Sequence, residues 1–261
     1  MRIPVNYHTH TKWSDGERSP EDVVKEALSK GLEEIAITDH LTILPRGPEP
    51  YSIKPEEIEK YLDTIDELAD RFEGRITVRR GVEVDYIRET RKLVDDILSS
   101  LDLDLVLGSV HFVDGICIDK DPSLWEGITQ EKVNKIYSRY YELLAEAARS
   151  DLFDVVAHFD LPKKYGRMSN VDPLPAIEEV SSQGLSVEIN TSGLRYACKE
   201  IYPSKKIVEE LRQRGVPFTV GTDAHRVEDV TSGIPEASRL IEEYRLTLVR
   251  YSSRSPITLR L

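Results

Sequence analysis

The stretch "LDLVLGSVHF", residues 103–112, is apolar on consecutive positions from Leu105 to Leu107 and turns polar at its end. There Ser109 and His111 stand two residues apart. A run that does not alternate suits a strand buried on both faces, as in a parallel sheet covered by helices. Six other runs have the same form: residues 3–10, 34–40, 76–86, 153–160, 185–192 and 217–225. Between them lie segments with readable helix starts. In "SPEDVVKEALSKG" (19–31), Ser19 is a natural N-cap, Pro20 suits the first helical position and Gly31 a stop. Residues 54–74, 129–150, 172–184 and 202–215 share this grammar, and further helices are expected at about 89–100 and 234–245. Strand alternates with helix about seven times, which predicts one α/β domain over 1–261 with a parallel sheet, and right-handed crossovers would close it into a barrel. The tail, 246–261, alternates and is expected to add one or two edge strands.

The composition is that of a folded, heavily charged chain: 261 residues, 39% hydrophobic, 31% charged, with a net charge of −12. An acidic chain lacks the basic face of a nucleic-acid binder, although bound cations would reverse the local field for an anionic substrate. Cys117 and Cys198 are far apart and form no C-x-x-C, so they read as free thiols. No apolar leader or spanning run is evident, and the expectation is a cytoplasmic protein with no membrane partner.

The polar strand ends decide the chemistry. His8/His10, Glu83/Asp85, Ser109/His111, His158/Asp160, Glu188/Asn190 and Asp223/His225 are pairs two residues apart, a spacing that points both side chains of a strand the same way. All six histidines of the chain, His40 included, fall at such ends, where parallel α/β proteins place their active sites. A lone histidine in a strand is usually an ordinary packed side chain, and Asp15-Gly16 by itself reads as a turn. Six imidazoles converging with carboxylates are instead a ligand set for zinc, manganese or iron. They exceed the needs of one ion, so a cluster bridged by a carboxylate is expected.

The segments "HTHTKWSDG", "AITDH", "GVEVDY", "GSVHF", "AHFD", "EINTSG" and "GTDAH" occur in the order found in the PHP (polymerase and histidinol phosphatase) superfamily, which the chain resembles from residue 6 to about 226. "GSVHFVDG", "YYELL", "HFDLPKKYG" and "EINTSGLRY" followed by "EIYPS" are most similar to its histidinol-phosphate phosphatases. The resemblance implies a distorted (β/α)7 barrel holding two to three divalent ions (Zn, Mn or Fe) at the C-terminal ends of the strands. It implies one ion on His8, His10, Glu83 and Asp223, a second on Glu83, His111 and His158, and a third on Asp15, His40 and His225. Some relatives carry histidine where this chain has Asp15.

The implied reaction is hydrolysis of a small phosphomonoester, L-histidinol phosphate, by a metal-bridging hydroxide, with Glu83, Asp223, His225 and Arg195 as the catalytic set. Arg195 is the expected phosphate grip, with Lys163 or Lys164 beside it, although both lysines read equally as solvated loop residues. Asp39 and Asp160 are candidates for orienting the histidines, or else for helix caps. Tyr86, Asp114 and Asp119 fall in loops from which the substrate's amine and imidazole are reachable, and residues 41–54, rich in Pro and Gly, suggest a lid. Two alternatives stand beside this reading. One is a PHP phosphoesterase for nucleotides, phosphodiesters or phosphotyrosine. The other is a non-catalytic module, which would be expected to have lost more ligands.

Overall fold

A computed structural model describes residues 2–260. In chain order the elements begin with β1 (Val5–Asn6), α1 (Pro20–Ser29), β2 (Glu34–Ile37), β3 (His40–Leu41), β4 (Ile43–Leu44), β5 (Gly47–Pro48) and α2 (Ile58–Arg71). They continue with β6 (Thr77–Asp85), α3 (Arg91–Leu98), β7 (Leu105–Ser109), β8 (Phe112–Val113), β9 (Ile116–Cys117), α4 (Gln130–Ala148) and β10 (Val155–Val156). The last are α5 (Leu174–Ser182), β11 (Ser186–Asn190), α6 (Lys205–Gln213), β12 (Phe218–Gly221), α7 (Ile234–Tyr244), β13 (Val249–Ser252) and β14 (Ser255–Thr258).

Seven parallel strands follow one another in the order β1-β2-β6-β7-β10-β11-β12. The seam between β12 and β1 is joined by Tyr7 N–H to Val220 O at 2.9 Å, Asp223 N–H to His8 O at 2.9 Å and His10 N–H to Ala224 O at 2.9 Å. The result is a nearly closed (β/α)7 barrel. Consecutive residues such as Ile35, Ala36 and Ile37, or Leu105, Val106 and Leu107, are buried on both faces, as the unalternating runs require. Helices begin where the sequence marks them: Ser19 Oγ accepts the Asp22 N–H at 3.2 Å, and Val23, Val24 and Ala27 pack inward.

Two local features depart from the sequence reading. The strands are shorter, because His158 (φ 25°) and Asp223 (φ 51°) leave the extended region just past β10 and β12. The tail forms its own antiparallel hairpin, β13–β14, rather than extending the barrel sheet. It is tied to the barrel by Phe218 N–H to Thr247 O at 2.8 Å and by Tyr251 O–H to Ser186 Oγ at 2.6 Å. Residues 41–54, the suggested lid, carry a short hairpin in which β4 pairs with β5, Ile53 N–H returns to His40 O at 2.9 Å, and Tyr51 lines the cavity above the strand ends. Cys117 and Cys198 are both free. Among the described residues no helix is long and apolar enough to cross a membrane.

Candidate metal centre

Glu83, near the end of the long strand β6, is the hub. β3 pairs with β6 so that His40 lies beside Glu83 in register. Glu83 Oε2 lies 3.2 Å from His8 Nε2, 3.3 Å from His10 Nε2 and 3.0 Å from His40 Nδ1. Glu83 Oε1 lies 2.9 Å from His158 Nε2 and 3.7 Å from His111 Nε2, and it accepts the Ser109 hydroxyl at 2.5 Å. Asp223 completes the floor, 3.4 Å from His10 Nε2 and 3.8 Å from His8 Nε2. Asp15, carried there by the turn at Gly16, sits 3.2 Å from His225 Nε2 and 3.7 Å from His40 Nε2. That turn is tight: a Cβ on Gly16 would stand 2.5 Å from the His10 carbonyl.

Four groups place their donor atoms within 4.8 Å of one another: His10, Asp15, His40 and His225; His8, His10 and Asp223; His8, Glu83 and His158; and His40, Glu83 and His111. The grouping of donors differs from the expected partition in two ways: His10 also stands with Asp15, His40 and His225, and His111 and His158 fall in separate groups around Glu83, His158 with His8 and His111 with His40. The chemistry of the donors fits divalent cations. His8 Nε2 and His10 Nε2 face each other at 3.1 Å, a spacing at which two lone pairs need positive charge beside them. His158 Nδ1 is buried without a hydrogen-bond partner.

Electrostatics say the same. Burial alone would raise Glu83 and Asp223, but the imidazoles around them outweigh it and hold both carboxyls well below the usual range. Burial, reinforced by His225 and His40, pushes His10 down to about 3. Burial opposes charge on His111 and His225, yet Asp85 lifts His111 to about 10, and Asp15 and Asp223 lift His225 to about 9. These carboxylates therefore demand positive charge, supplied by imidazolium or by a metal whose binding would release protons.

The groups that aim the histidines directly are not those anticipated, and Asp39 reaches His10 only through Ser14, whose Oγ lies 3.4 Å from His10 Nδ1. Asp39 accepts Thr11 N–H at 2.6 Å, Thr11 Oγ1 at 2.7 Å and Ser14 Oγ at 2.5 Å, and so braces the 11–14 turn. Asp160 receives Ser204 N–H at 2.9 Å and the Lys163 ammonium at 3.0 Å. The left-handed backbone at His158 breaks the two-residue repeat, so His158 turns to Glu83 and Asp160 turns away. The orienting carboxylates are Glu188, which accepts His8 Nδ1–H at 2.9 Å, and Asp85, which accepts His111 Nδ1–H at 3.0 Å. With a metal in place of the second proton, each would keep the remaining proton on Nδ1 and leave Nε2 free toward the cluster. Both residues stand out in the sequence as polar strand ends, and a buried carboxylate with no cation near it needs an imidazole partner. Glu188→Gln is expected to weaken metal retention about 10- to 100-fold, read by competition with a fluorescent chelator.

The cationic candidates divide. Lys164 lines the cavity, its ammonium on Asp119 at 3.0 Å. Lys163 does not reach it: only 1% exposed, it bonds Asp160, Glu200 and the Ile201 carbonyl. Its position, one residue off, puts it on the inner face of the 161–165 turn. Arg195 gives one nitrogen to the carbonyls of Thr222 at 2.7 Å and Asp223 at 2.9 Å, while its Nη1 is buried without a partner. Above the floor opens a cavity of about 380 Å³ whose walls are Tyr51, Cys117, Asp119, Lys164, Tyr165 and Tyr196. Of the loop residues considered for substrate, Tyr86 bonds Glu146 and Asp114 pairs with Arg139, both outside this cavity, and Asp119 alone lines it.

A parallel seven-stranded barrel with imidazoles and carboxylates gathered at its strand ends defines a class, and the comparison with known families agrees. The PHP domain family model matches residues 6–192, and the chain belongs to that family. It is 35% identical over 228 residues to the probable histidinol-phosphatase of Deinococcus radiodurans, covering 86% of this chain and 87% of that one. It is 29% identical over 235 residues to the histidinol-phosphatase of Bacillus subtilis, covering 79% and 87% of the two chains. Its fold superposes with a TM-score of 0.84, at 22% identity, on a histidinol phosphate phosphatase from Lactococcus lactis solved in complex with zinc, L-histidinol and phosphate, covering 97% and 98% of the two chains.

Proposed function

We propose that this protein is a metal-dependent phosphatase that hydrolyses L-histidinol phosphate to L-histidinol and phosphate. One observation carries the reading: a single buried carboxylate, Glu83, within 3.7 Å of ring nitrogens from five histidines, at the base of a cavity sized for a small ester. The names of the Deinococcus and Bacillus relatives support the substrate.

In this reading His8, His10, Glu83 and Asp223 hold a first divalent ion, and Glu83, His111 and His158 a second. Asp15, His40 and His225, with His10 adjacent, hold a third. Zinc, manganese and iron all suit these donors. Bound ions supply charge neutralisation of the phosphate and a water acidic enough to act near neutral pH. The chain's own residues supply the rest. Glu188 and Asp85 keep the protons of His8 and His111 on Nδ1, so each ring presents Nε2 to the floor. Arg195 acts as a positioning residue, clamping the backbone that carries Asp223 and adding positive potential beside it. Ser109 holds Glu83 Oε1 in place.

The test is to strip the protein with a chelator, then restore zinc, manganese or iron separately and measure phosphate release from L-histidinol phosphate. Loss on stripping and recovery with at least one ion is expected. Full activity in the stripped protein would exclude a metal-dependent phosphatase.

A further inference from the structure

The floor of the cavity accounts for the phosphate but not for the other end of the substrate, which carries an ammonium and an imidazole. Four carboxylates line the cavity among the described residues: Asp15, Glu83, Asp223 and Asp119. The first three belong to the histidine cluster, whereas Asp119 stands apart from every group of clustered donors. It sits on the loop after β9, its side chain 19% exposed. Its Oδ2 is anchored by the Lys164 ammonium at 3.0 Å, and Lys164 in turn lies over the Tyr196 ring at 4.4 Å. Tyr165 O–H donates to the Asp119 carbonyl and fixes the loop backbone. Asp119 Oδ1, by contrast, receives only the Cys117 thiol at 3.3 Å, a weak donor. One oxygen of a partly desolvated, rigidly held carboxylate is thus left for a stronger donor, inside walls made by Tyr51, Tyr165 and Tyr196. Aromatic faces favour both a cation and a flat ring.

We propose that Asp119 is the specificity-determining residue of this cavity: its Oδ1 accepts the substrate's ammonium, Lys164 holds the other oxygen, and the tyrosine walls receive the imidazole ring. The assignment rests on the phosphatase reading and deepens it by naming what selects an amine-bearing ester. A charged hydrogen bond in a partly buried site discriminates strongly against an ester lacking the cation.

The experiment compares kcat/KM of the metal-loaded wild type and Asp119→Asn on three esters: L-histidinol phosphate, phosphoethanolamine and 4-nitrophenyl phosphate. In the variant, the preference for L-histidinol phosphate over 4-nitrophenyl phosphate is expected to fall roughly 10- to 100-fold. An independent arm uses wild type alone. L-Histidinol should bind at least about 10-fold more tightly than N-acetyl-L-histidinol, whose amine carries no charge, by calorimetry. A preference unchanged by the substitution, whether both rates fall together or neither falls, would overturn the proposal, as would equal binding of the two alcohols. A wild type that favours phosphoethanolamine over L-histidinol phosphate, with the favour erased in Asp119→Asn, would reject the substrate reading while upholding Asp119 as the amine selector.

Discussion

Glu83→Gln is expected to lower kcat/KM for phosphate release by about 10³-fold or more, the several kcal/mol that a metal cluster supplies to the transition state. The substitution keeps the size of the side chain and the Ser109 contact, but it removes a charge and turns one oxygen into an amide donor. With the Ser109 contact kept at Oε1, that donor would stand in place of Oε2 and face imidazole nitrogens of His8, His10 and His40 at 3.0 to 3.3 Å, where lone pairs must converge on cations. Elemental analysis should therefore show at least one ion per chain lost, in a protein whose far-ultraviolet circular dichroism is unchanged, because the β6 ladder to β2 and β7 uses backbone groups only. A Glu83→Gln protein that keeps its metal and most of its activity would show that the hub of the cluster lies elsewhere.

Gly221→Ala should also be damaging, although the residue bears no chemistry. Gly221 ends β12 where the chain passes beneath the cluster, and a Cβ there would stand 1.8 Å from Glu188 Oε1 and 2.6 Å from the His8 Cβ. The first contact expels the carboxylate that orients His8, and the second displaces His8 itself. Overpacking of this kind costs roughly 1–3 kcal/mol of stability, and misorienting a ligand histidine costs a further 10- to 100-fold in metal affinity or activity. Urea unfolding and kcat/KM on the same preparation check both parts. A variant as stable and as active as wild type would mean that the strand ends pack more loosely than these distances state. The same reasoning explains why a small residue precedes Asp223 by two positions: the polypeptide that carries the ligand must run against the polypeptide that carries His8.

Much of this architecture is legible in the residues themselves. Unalternating runs such as Leu105–Leu107 announce strands covered on both faces, and Ser19-Pro20 announces a helix start, because both depend on short-range burial and capping. The convergence of the six histidines follows from their places at the ends of parallel strands. What the sequence pattern misses arises where backbone conformation departs from the regular strand. The two-residue repeat predicts that Asp160 accompanies His158, and a left-handed residue at His158 sends them apart. Neighbours in sequence also separate: Lys163 enters the interior while Lys164 faces the cavity, a choice made by the turn at 161–165 that no periodicity reveals. The tyrosine walls come from three distant segments, around residues 51, 165 and 196, and only the barrel's closure brings them together.

The rival readings make different demands on the same residues. A phosphodiesterase for nucleic acid would need cations along an open groove, whereas Lys164 is tied to Asp119 and Lys163 is buried. A non-catalytic module has no use for carboxylates that fix the tautomers of His8 and His111.

The central claim is tested most directly by kcat/KM of the metal-loaded protein on L-histidinol phosphate against a nucleotide monophosphate, a phosphotyrosine peptide and a simple phosphodiester. A preference of about 100-fold or more for L-histidinol phosphate, about 2.7 kcal/mol in the transition state, is the expected result. Comparable turnover of all four esters, or faster turnover of any of the other three, would contradict it.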